Sequence, residues 1–135
     1  MFVDASAAVA ILASEKDGPA YDLALANSHA AFMSAISFWE TVAALVKTHA
    51  YSVPEARAIT EELVKLAKIQ IVGIGERELT AALDAYDQFG KGRHPAQLNM
   101  GDCFAYACAK TLATPLLFKG GDFTKTDIEA VSFSR

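Results

Sequence analysis

Short apolar runs alternate with longer segments of helical periodicity along this chain. The runs are too short for typical helices, and their apolar and β-branched content favours buried strands. Because helical segments separate most of them, the pattern predicts a mostly parallel sheet with helices on both faces. The predicted strands are residues 1–3, 31–34, 69–74, 116–118 and 130–133.

The helical segments are recognised by the spacing of their apolar residues and by their start signals. Phe38, Val42 and Leu45 lie on one helical face after the second predicted strand. Ser52 fits an N-cap, with Glu55 at the capping-box position three residues later, so a further helix begins there and forms a helical hairpin with its predecessor. The other predicted helices are residues 5–13, 19–26, 76–89 and 101–112.

Composition limits the class of protein. The chain has 135 residues, of which 53% are apolar, and this predicts one domain over residues 1–135 with a real core. Its formal net charge of −4 excludes a simple basic nucleic-acid binder. A nucleic-acid enzyme remains possible, because bound cations neutralise both an acidic site and incoming phosphates.

The two cysteines, Cys103 and Cys108, are five positions apart in one predicted helix. We interpret both as small buried apolar residues rather than as a disulfide or a metal pair. Reduced cysteines fit the cytosol. With neither a signal peptide nor a membrane span recognisable, we expect a cytoplasmic protein.

Four acidic residues stand at chemically informative positions. Asp4 and Asp122 come just after predicted strands, where parallel α/β sheets bind their ligands. Asp102 opens an almost wholly apolar helix, and Glu40 lies off the apolar face of its own helix. Alone, each has an ordinary explanation as a helix-dipole, surface or turn residue. Together they would repel one another, and a divalent cation would relieve that repulsion. Ligation by oxygen alone favours Mg²⁺ or Mn²⁺.

Four blocks of the chain resemble the motifs of PIN-domain ribonucleases, and most of all the VapC toxins of bacterial type II toxin–antitoxin systems. The resemblance implies a PIN-like three-layer α/β sandwich and a Mg²⁺- or Mn²⁺-dependent endoribonuclease, which hydrolyses RNA with a metal-activated water. It also implies a homodimer inhibited by a cognate, VapB-like antitoxin. The blocks are residues 3–7, 37–40, 98–107 and 117–127.

Residue roles follow from the same resemblance. It implies that Asp4, Glu40, Asp102 and Asp122 form the catalytic and metal-binding site. Gly121 departs from the family pattern, since related sequences often have Asp or Asn there, so Asp127 is an alternative fourth acid. The residues that match positions near the acids, and are expected to support them, are Ser6, Asn99 and Asp127.

Basic and aromatic residues suggest where RNA could bind. Lys91, Arg93 and His94 form a compact basic stretch that either contacts an RNA phosphate or is a solvated loop. Lys119 is either another phosphate contact or a charge at a strand end. Trp39 is expected to pack in the core or in a dimer rather than to stack on a base.

Two other functions are considered beside the ribonuclease. One is a Mg²⁺-binding receiver domain, which would accept a phosphoryl group on aspartate and use Lys119. The other is a catalytically silent PIN-like module that only binds a partner. An antitoxin is expected to cover an apolar groove near the helices between residues 36 and 68, with a peptide helix there and an arginine reaching the acidic site.

Overall fold

The computed structural model describes residues 1–133, so the last two residues of the predicted domain lie outside the described part. Over that range it has four strands, six α-helices and a 3-10 turn at Phe123–Lys125. The strands are β1 (Phe2–Val3), β2 (Phe32–Ser34), β3 (Gln70–Val72) and β4 (Leu116–Leu117). The helices are α1 (Ala5–Leu12), α2 (Gly18–Ala26), α3 (Ala35–His49), α4 (Val53–Leu66), α5 (Glu76–Phe89) and α6 (Met100–Thr111).

The strands form one parallel sheet in the order β3-β2-β1-β4. Phe2 of β1 pairs with Phe32 on one side and with Leu116 on the other, which makes β1 central. The predicted α/β class with a parallel sheet is confirmed. A receiver domain has the order 2-1-3-4-5, so the receiver alternative does not fit this sheet.

The helices form a layer on each face of the sheet. Phe2 and Leu116 pack with side chains of α5 and α6 in one core, whereas Val3 and Leu117 pack with side chains of α1, α2 and α4 in another. Neighbouring residues of a strand point to opposite faces, so two-residue strands supply both cores. Full burial of each large apolar side chain stabilises the fold by roughly 1.5–3 kcal/mol. The three-layer sandwich is confirmed.

The last predicted strand, residues 130–133, is wrong as a continuous strand. Only Ala130 forms a bridge, to Leu116, where the Leu116 N–H donates to the Glu129 carbonyl and the Val131 N–H donates to the Leu116 carbonyl. Because β4 ends at Leu117, it does not provide a longer edge with which residues 130–133 could pair.

The other local predictions hold closely. The Ser52 hydroxyl accepts a hydrogen bond from the Glu55 N–H at 3.2 Å, and the Glu55 carboxylate accepts one from the Ser52 N–H at 3.2 Å. This capping box starts α4, which packs against α3 as a helical hairpin. Cys103 and Cys108 are buried and free, as predicted. Within residues 1–133 no helix is long and apolar enough to cross a membrane.

Candidate active site

Asp4 lies at the junction between β1 and α1 and is only 5% exposed. It is the N-cap of α1. One of its carboxylate oxygens accepts hydrogen bonds from the Ser6 N–H at 3.0 Å and from the Ser6 hydroxyl at 2.5 Å. The same hydroxyl accepts a hydrogen bond from the Lys119 N–H at 2.9 Å, which ties the segment after β4 to Asp4. Burial raises the pKa of Asp4, and the hydrogen bonds from Ser6 partly oppose that shift.

Asp102 is fixed by a capping box at the start of α6. The Asn99 side chain accepts a hydrogen bond from the Asp102 N–H at 2.9 Å, and the Asp102 carboxylate accepts one from the Asn99 N–H at 3.1 Å. Burial raises the pKa of Asp102 to about 6, and the charges of Asp4 and Asp122 add to the shift. Ser6 and Asn99, predicted as supporting residues, are therefore bonded directly to two of the acids.

Glu40 approaches the other two acids from α3. Burial raises its pKa to about 7, with further contributions from the charges of Asp4 and Asp102. Its carboxylate packs so closely on Gly101, in the first turn of α6, that a Cβ atom at Gly101 would overlap it. Three predicted site residues from three separate elements thus meet at one place.

These acids line an open groove of about 430 Å³. Lys119 also lines it, but its ammonium group forms ion pairs with Glu15 at 2.7 Å and Asp17 at 3.0 Å. Those pairs hold the pKa of Lys119 above its usual range. In this structure Lys119 is therefore a paired charge at the rim of the groove. The lining residues are Asp4, Ala5, Ser6, Val9, Glu15, Glu40, Ala44, Asp102 and Lys119.

The donor set fits a hard divalent cation, although the geometry is not a finished coordination shell. Among residues 1–133, no three acidic, histidine or cysteine side chains are arranged as ligands of one ion. The converging groups are nevertheless carboxylates, which Mg²⁺ and Mn²⁺ prefer. Cys103 adjoins Asp102, but burial raises the pKa of its thiol to about 11, so it stays protonated near neutral pH.

Asp122 and Asp127 occupy different surroundings. Asp122 is exposed, precedes the 3-10 turn, and lies near enough to Asp102 for its charge to raise the pKa of that acid. Asp127 instead accepts hydrogen bonds from the Tyr106 hydroxyl at 2.5 Å and from Lys110 at 3.2 Å. The Tyr106 bond is the main cause that lowers the pKa of Asp127. The charge of Asp122 therefore acts on Asp102, whereas Asp127 is hydrogen-bonded to Tyr106 and Lys110 of α6.

The predicted basic stretch lies in the connection from α5 to α6. Lys91 and Arg93 are exposed, and the Arg93 guanidinium lies 5.3 Å from the centre of the Tyr86 ring. The Nδ1 atom of His94 accepts a hydrogen bond from the Ala96 N–H at 3.0 Å, which stabilises the local turn. Lys91 and Arg93 are thus available to solvent, whereas His94 has a structural bond.

The exposed apolar residues lie partly where the sequence predicted them. Trp39 is 69% exposed, so the prediction that it packs in the core of this chain is wrong. Val53 and Leu66 are also exposed on the α3–α4 hairpin. Sequence reasoning missed an apolar groove, of about 370 Å³, on α5 and α6. It is lined by Leu79, Ala82, Leu83, Tyr86, Met100, Cys103 and Phe104.

Gly101 is the other feature that sequence reasoning missed. It is buried in the first turn of α6. A glycine inside an apolar helix lowers helix propensity and therefore hints at a close approach by another group. That signal was present in the sequence, but only the structure identifies Glu40 as the neighbour.

Comparisons with known proteins agree with this architecture. The family model for the PIN domain matches residues 1–129. Ribonuclease VapC30 of Mycobacterium tuberculosis is 42% identical over 132 residues, which cover 98% of each chain. Ribonuclease VapC of Mycolicibacterium smegmatis is 42% identical over 131 residues, covering 97% of this chain and 99% of the relative.

Solved structures share the fold at low sequence identity. The crystal structure of Mycobacterium tuberculosis VapC20, described as a sarcin-ricin loop cleaving toxin, matches with a TM-score of 0.74 at 14% identity, covering 94% of this chain and 95% of that one. A toxin–antitoxin complex from Klebsiella pneumoniae matches with a TM-score of 0.67 at 14% identity, covering 93% and 92%. The family match and the near full-length relatives lead to one assignment: this chain belongs to the PIN-domain family, among the VapC ribonucleases.

Proposed function

We propose that this chain is a Mg²⁺- or Mn²⁺-dependent endoribonuclease that hydrolyses RNA phosphodiester bonds. The observation that carries the proposal is the convergence of three acids in one open groove: Asp4 from the junction of β1 and α1, Glu40 from α3 and Asp102 from α6. Mutual repulsion contributes to the raised pKa values of Glu40 and Asp102. Perturbed carboxylates gathered in a groove are typical of a working site. The VapC relatives are themselves named ribonucleases.

The four acids would have different roles in binding the cation. Asp4 and Asp102 would hold the cation, because Ser6 and the Asn99 N–H already donate hydrogen bonds to their carboxylates. Glu40 would complete the acidic set from α3. Asp122, at the edge of the cluster, would add negative charge or a ligand. A bound divalent cation supplies charge neutralisation at the phosphate and lowers the pKa of a coordinated water.

A cleavage assay with matched variants tests this proposal. Purified chain, freed of any antitoxin, is incubated with a panel of RNAs in Mg²⁺, in Mn²⁺ and in EDTA. We expect cleavage with either cation, none in EDTA, and a loss of about 100-fold or more for Asp4→Asn and Asp102→Asn, because each removes a charge that holds the cation. Asp84→Asn, an exposed acid on α5, is the matched control. Equal cleavage in EDTA, or by Asp4→Asn, would refute the metal-dependent mechanism.

We propose that a VapB-like antitoxin inhibits this chain in the cytoplasm. Support comes from the VapC relatives, from the fold shared with a chain of a toxin–antitoxin complex, and from the two unpaired cysteines, which fit a reducing compartment. Exposed Trp39, Val53 and Leu66 offer apolar contacts on the α3–α4 hairpin. An antitoxin arginine could then pair with the acidic groove.

Co-expression tests the antitoxin proposal. The small protein encoded next to this chain is produced together with it, and complex formation and RNA cleavage are measured. Leu66→Glu should weaken the complex, because it puts a charge into the expected apolar contact. Failure of any neighbouring product to bind or inhibit would contradict the pairing.

We propose that the chain forms a homodimer through the groove on α5 and α6. Its rim carries Leu83, which is 58% exposed, and Met100, which is 63% exposed, and large apolar patches of this kind mark interaction sites. Leu83→Glu should convert the dimer into a monomer in light scattering after size exclusion. Leu66→Glu serves as the control, because it lies on the α3–α4 hairpin and should leave the dimer intact. A monomeric wild type would refute the dimer.

A further inference from the structure

We propose that Gly101 is a positioning residue that lets the Glu40 carboxylate reach its place in the groove with Asp4 and Asp102. This inference rests on the proposed metal-dependent function. Gly101 is buried, and a Cβ atom built on it would overlap both carboxylate oxygens and the carboxyl carbon of Glu40. The bare backbone at this position is therefore the surface on which the Glu40 carboxylate packs.

The type of overlap decides what a side chain at position 101 would move. At Gly18, an added Cβ would meet the backbone carbonyl oxygen of Ala10, so the helices themselves would have to separate. At Gly101 it would meet the far end of a flexible side chain. Alanine there would thus push the Glu40 carboxylate away and leave the helix in place.

Gly101 also directly precedes Asp102, so one short segment determines the positions of both the Asp102 and the Glu40 carboxylates. Asp102 is oriented by its capping box with Asn99. Glu40 lies against the same first turn of α6, where the positive end of the helix dipole favours a carboxylate. The closeness of Glu40 to Asp102 therefore depends on the absence of a side chain between them.

The backbone at Gly101 does not itself require glycine. Gly92 and Gly120 have positive φ angles, and Gly101 is not among the glycines with this conformation. Alanine is favoured over glycine in helices, so Gly101→Ala should fold at least as well as the wild type. The close approach of Glu40 is then the reason for glycine at this position.

The test measures cation affinity and stability separately. Mn²⁺ is titrated into wild type, Gly101→Ala, Glu40→Gln and the double variant, with binding followed by calorimetry and by the fluorescence of Trp39, which is the single tryptophan and adjoins Glu40. We expect Gly101→Ala to bind Mn²⁺ about 10-fold or more weakly, with an unchanged or higher Tm. Gly73→Ala is the matched control, because nothing lies within 4 Å of its added Cβ and its φ is not positive.

The double variant distinguishes positioning from a general structural effect. If Gly101 acts through Glu40, adding Gly101→Ala to Glu40→Gln should cause no further loss of affinity. Additive losses, or wild-type Mn²⁺ affinity in Gly101→Ala, would overturn the inference.

A crystal structure of Gly101→Ala separates this inference from the proposed function. A Glu40 carboxylate displaced from Asp4 and Asp102 supports the inference, even if the wild type itself fails to bind Mn²⁺ and the metal-dependent function falls. A carboxylate in its wild-type position refutes the role of Gly101 by itself.

Discussion

Asp4, Glu40 and Asp102 cost folding free energy when they are charged. Burial is the largest cause of the raised pKa of each, and the charges of neighbouring acids contribute at Glu40 and Asp102. When a carboxyl group has a higher pKa in the folded chain than in the unfolded one, its ionisation lowers the stability of the fold. Gathering these carboxylates in one groove therefore weakens the folded protein when no cation neutralises them.

The pH dependence of stability follows from these shifts. The pKa of Glu40 rises from 4.5 to about 7 and that of Asp102 from 3.8 to about 6 on folding. Between those values the folded chain binds more protons than the unfolded chain, so stability falls as pH rises. We expect the Tm of metal-free protein to decrease from pH 5 to pH 8, and Mn²⁺ at pH 8 to restore much of the loss. A Tm that rises over this range in EDTA would contradict the shifts.

Neutralising Glu40 should reveal its cost directly. Glu40→Gln removes a charge from the cluster while preserving the size of the side chain. We expect a higher Tm than wild type at pH 8 in EDTA, a smaller difference at pH 5, and weaker Mn²⁺ binding. Such an exchange of stability for function is common at working sites. Glu62→Gln, an exposed acid on α4, should leave all three measurements unchanged.

At the scale of secondary-structure elements, helix N-caps position two of the carboxylates. Asp4 is the N-cap of α1 and Asn99 is the N-cap of α6, and each forms hydrogen bonds with a neighbour in the site. A cap fixes the direction in which the chain enters a helix. At α6 the Asn99 side chain caps the Asp102 N–H, and the reciprocal hydrogen bond from the Asn99 N–H holds the Asp102 carboxylate. Stability of α6 and orientation of Asp102 should consequently change together.

Asn99→Ala tests this coupling. Loss of the cap should lower the free energy of unfolding by about 1 kcal/mol and should weaken Mn²⁺ binding, because the first turn that carries Asp102 becomes looser. Asn99→Ser is the matched control, since serine is also a strong N-cap and should retain most of both properties. Denaturant unfolding and calorimetry measure the two effects. If Asn99→Ala lost stability but kept full Mn²⁺ affinity, the cap would have no role in orienting Asp102.

Local signals account for the parts of the site that the sequence predicted. Asp4 after a strand and Asp102 at a helix start are features of neighbouring residues, and both acids lie in the observed cluster. The hydrogen bond that holds Asp127 to α6 comes from Tyr106, which is 21 positions away in the sequence. The contact between Gly101 and Glu40 joins two helices. Pairings of this kind are decided by tertiary packing, which periodicity does not encode.

The lengths of the strands could not be predicted from local sequence signals either. Residues 130–133 include β-branched Val131 and aromatic Phe133, as a strand would, but only Ala130 forms a bridge, to Leu116 of the two-residue strand β4. Strand propensity reflects packing against neighbours more than an intrinsic backbone preference. The helices, by contrast, carry their own caps and apolar faces, and their observed bounds lie close to the predicted ones.

The net negative charge of the whole molecule opposes the binding of RNA. The formal net charge is −4, and the cation that lines the acidic groove, Lys119, is already paired with Glu15 and Asp17. Divalent ions would offset part of the repulsion at the cluster itself. Contacts with phosphates farther along the RNA need other basic side chains. Lys91 and Arg93, between α5 and α6, are exposed, and Arg93 forms an ion pair with exposed Asp87 at 3.8 Å.

Salt dependence of RNA binding tests whether this basic loop contacts phosphates. Binding is measured in Mg²⁺ with the Asp4→Asn variant, so that cleavage does not interfere. Each phosphate contact to a single strand contributes about 0.7 to the slope of log K against log salt. Lys91→Ala and Arg93→Ala should each weaken binding to all RNAs and reduce the slope by about that amount, because phosphate contacts carry no base specificity. Lys65→Ala, an exposed lysine on α4, should not change the slope. An unchanged slope in both loop variants would show that the stretch is only a solvated loop, and RNA must then enter the groove from another side.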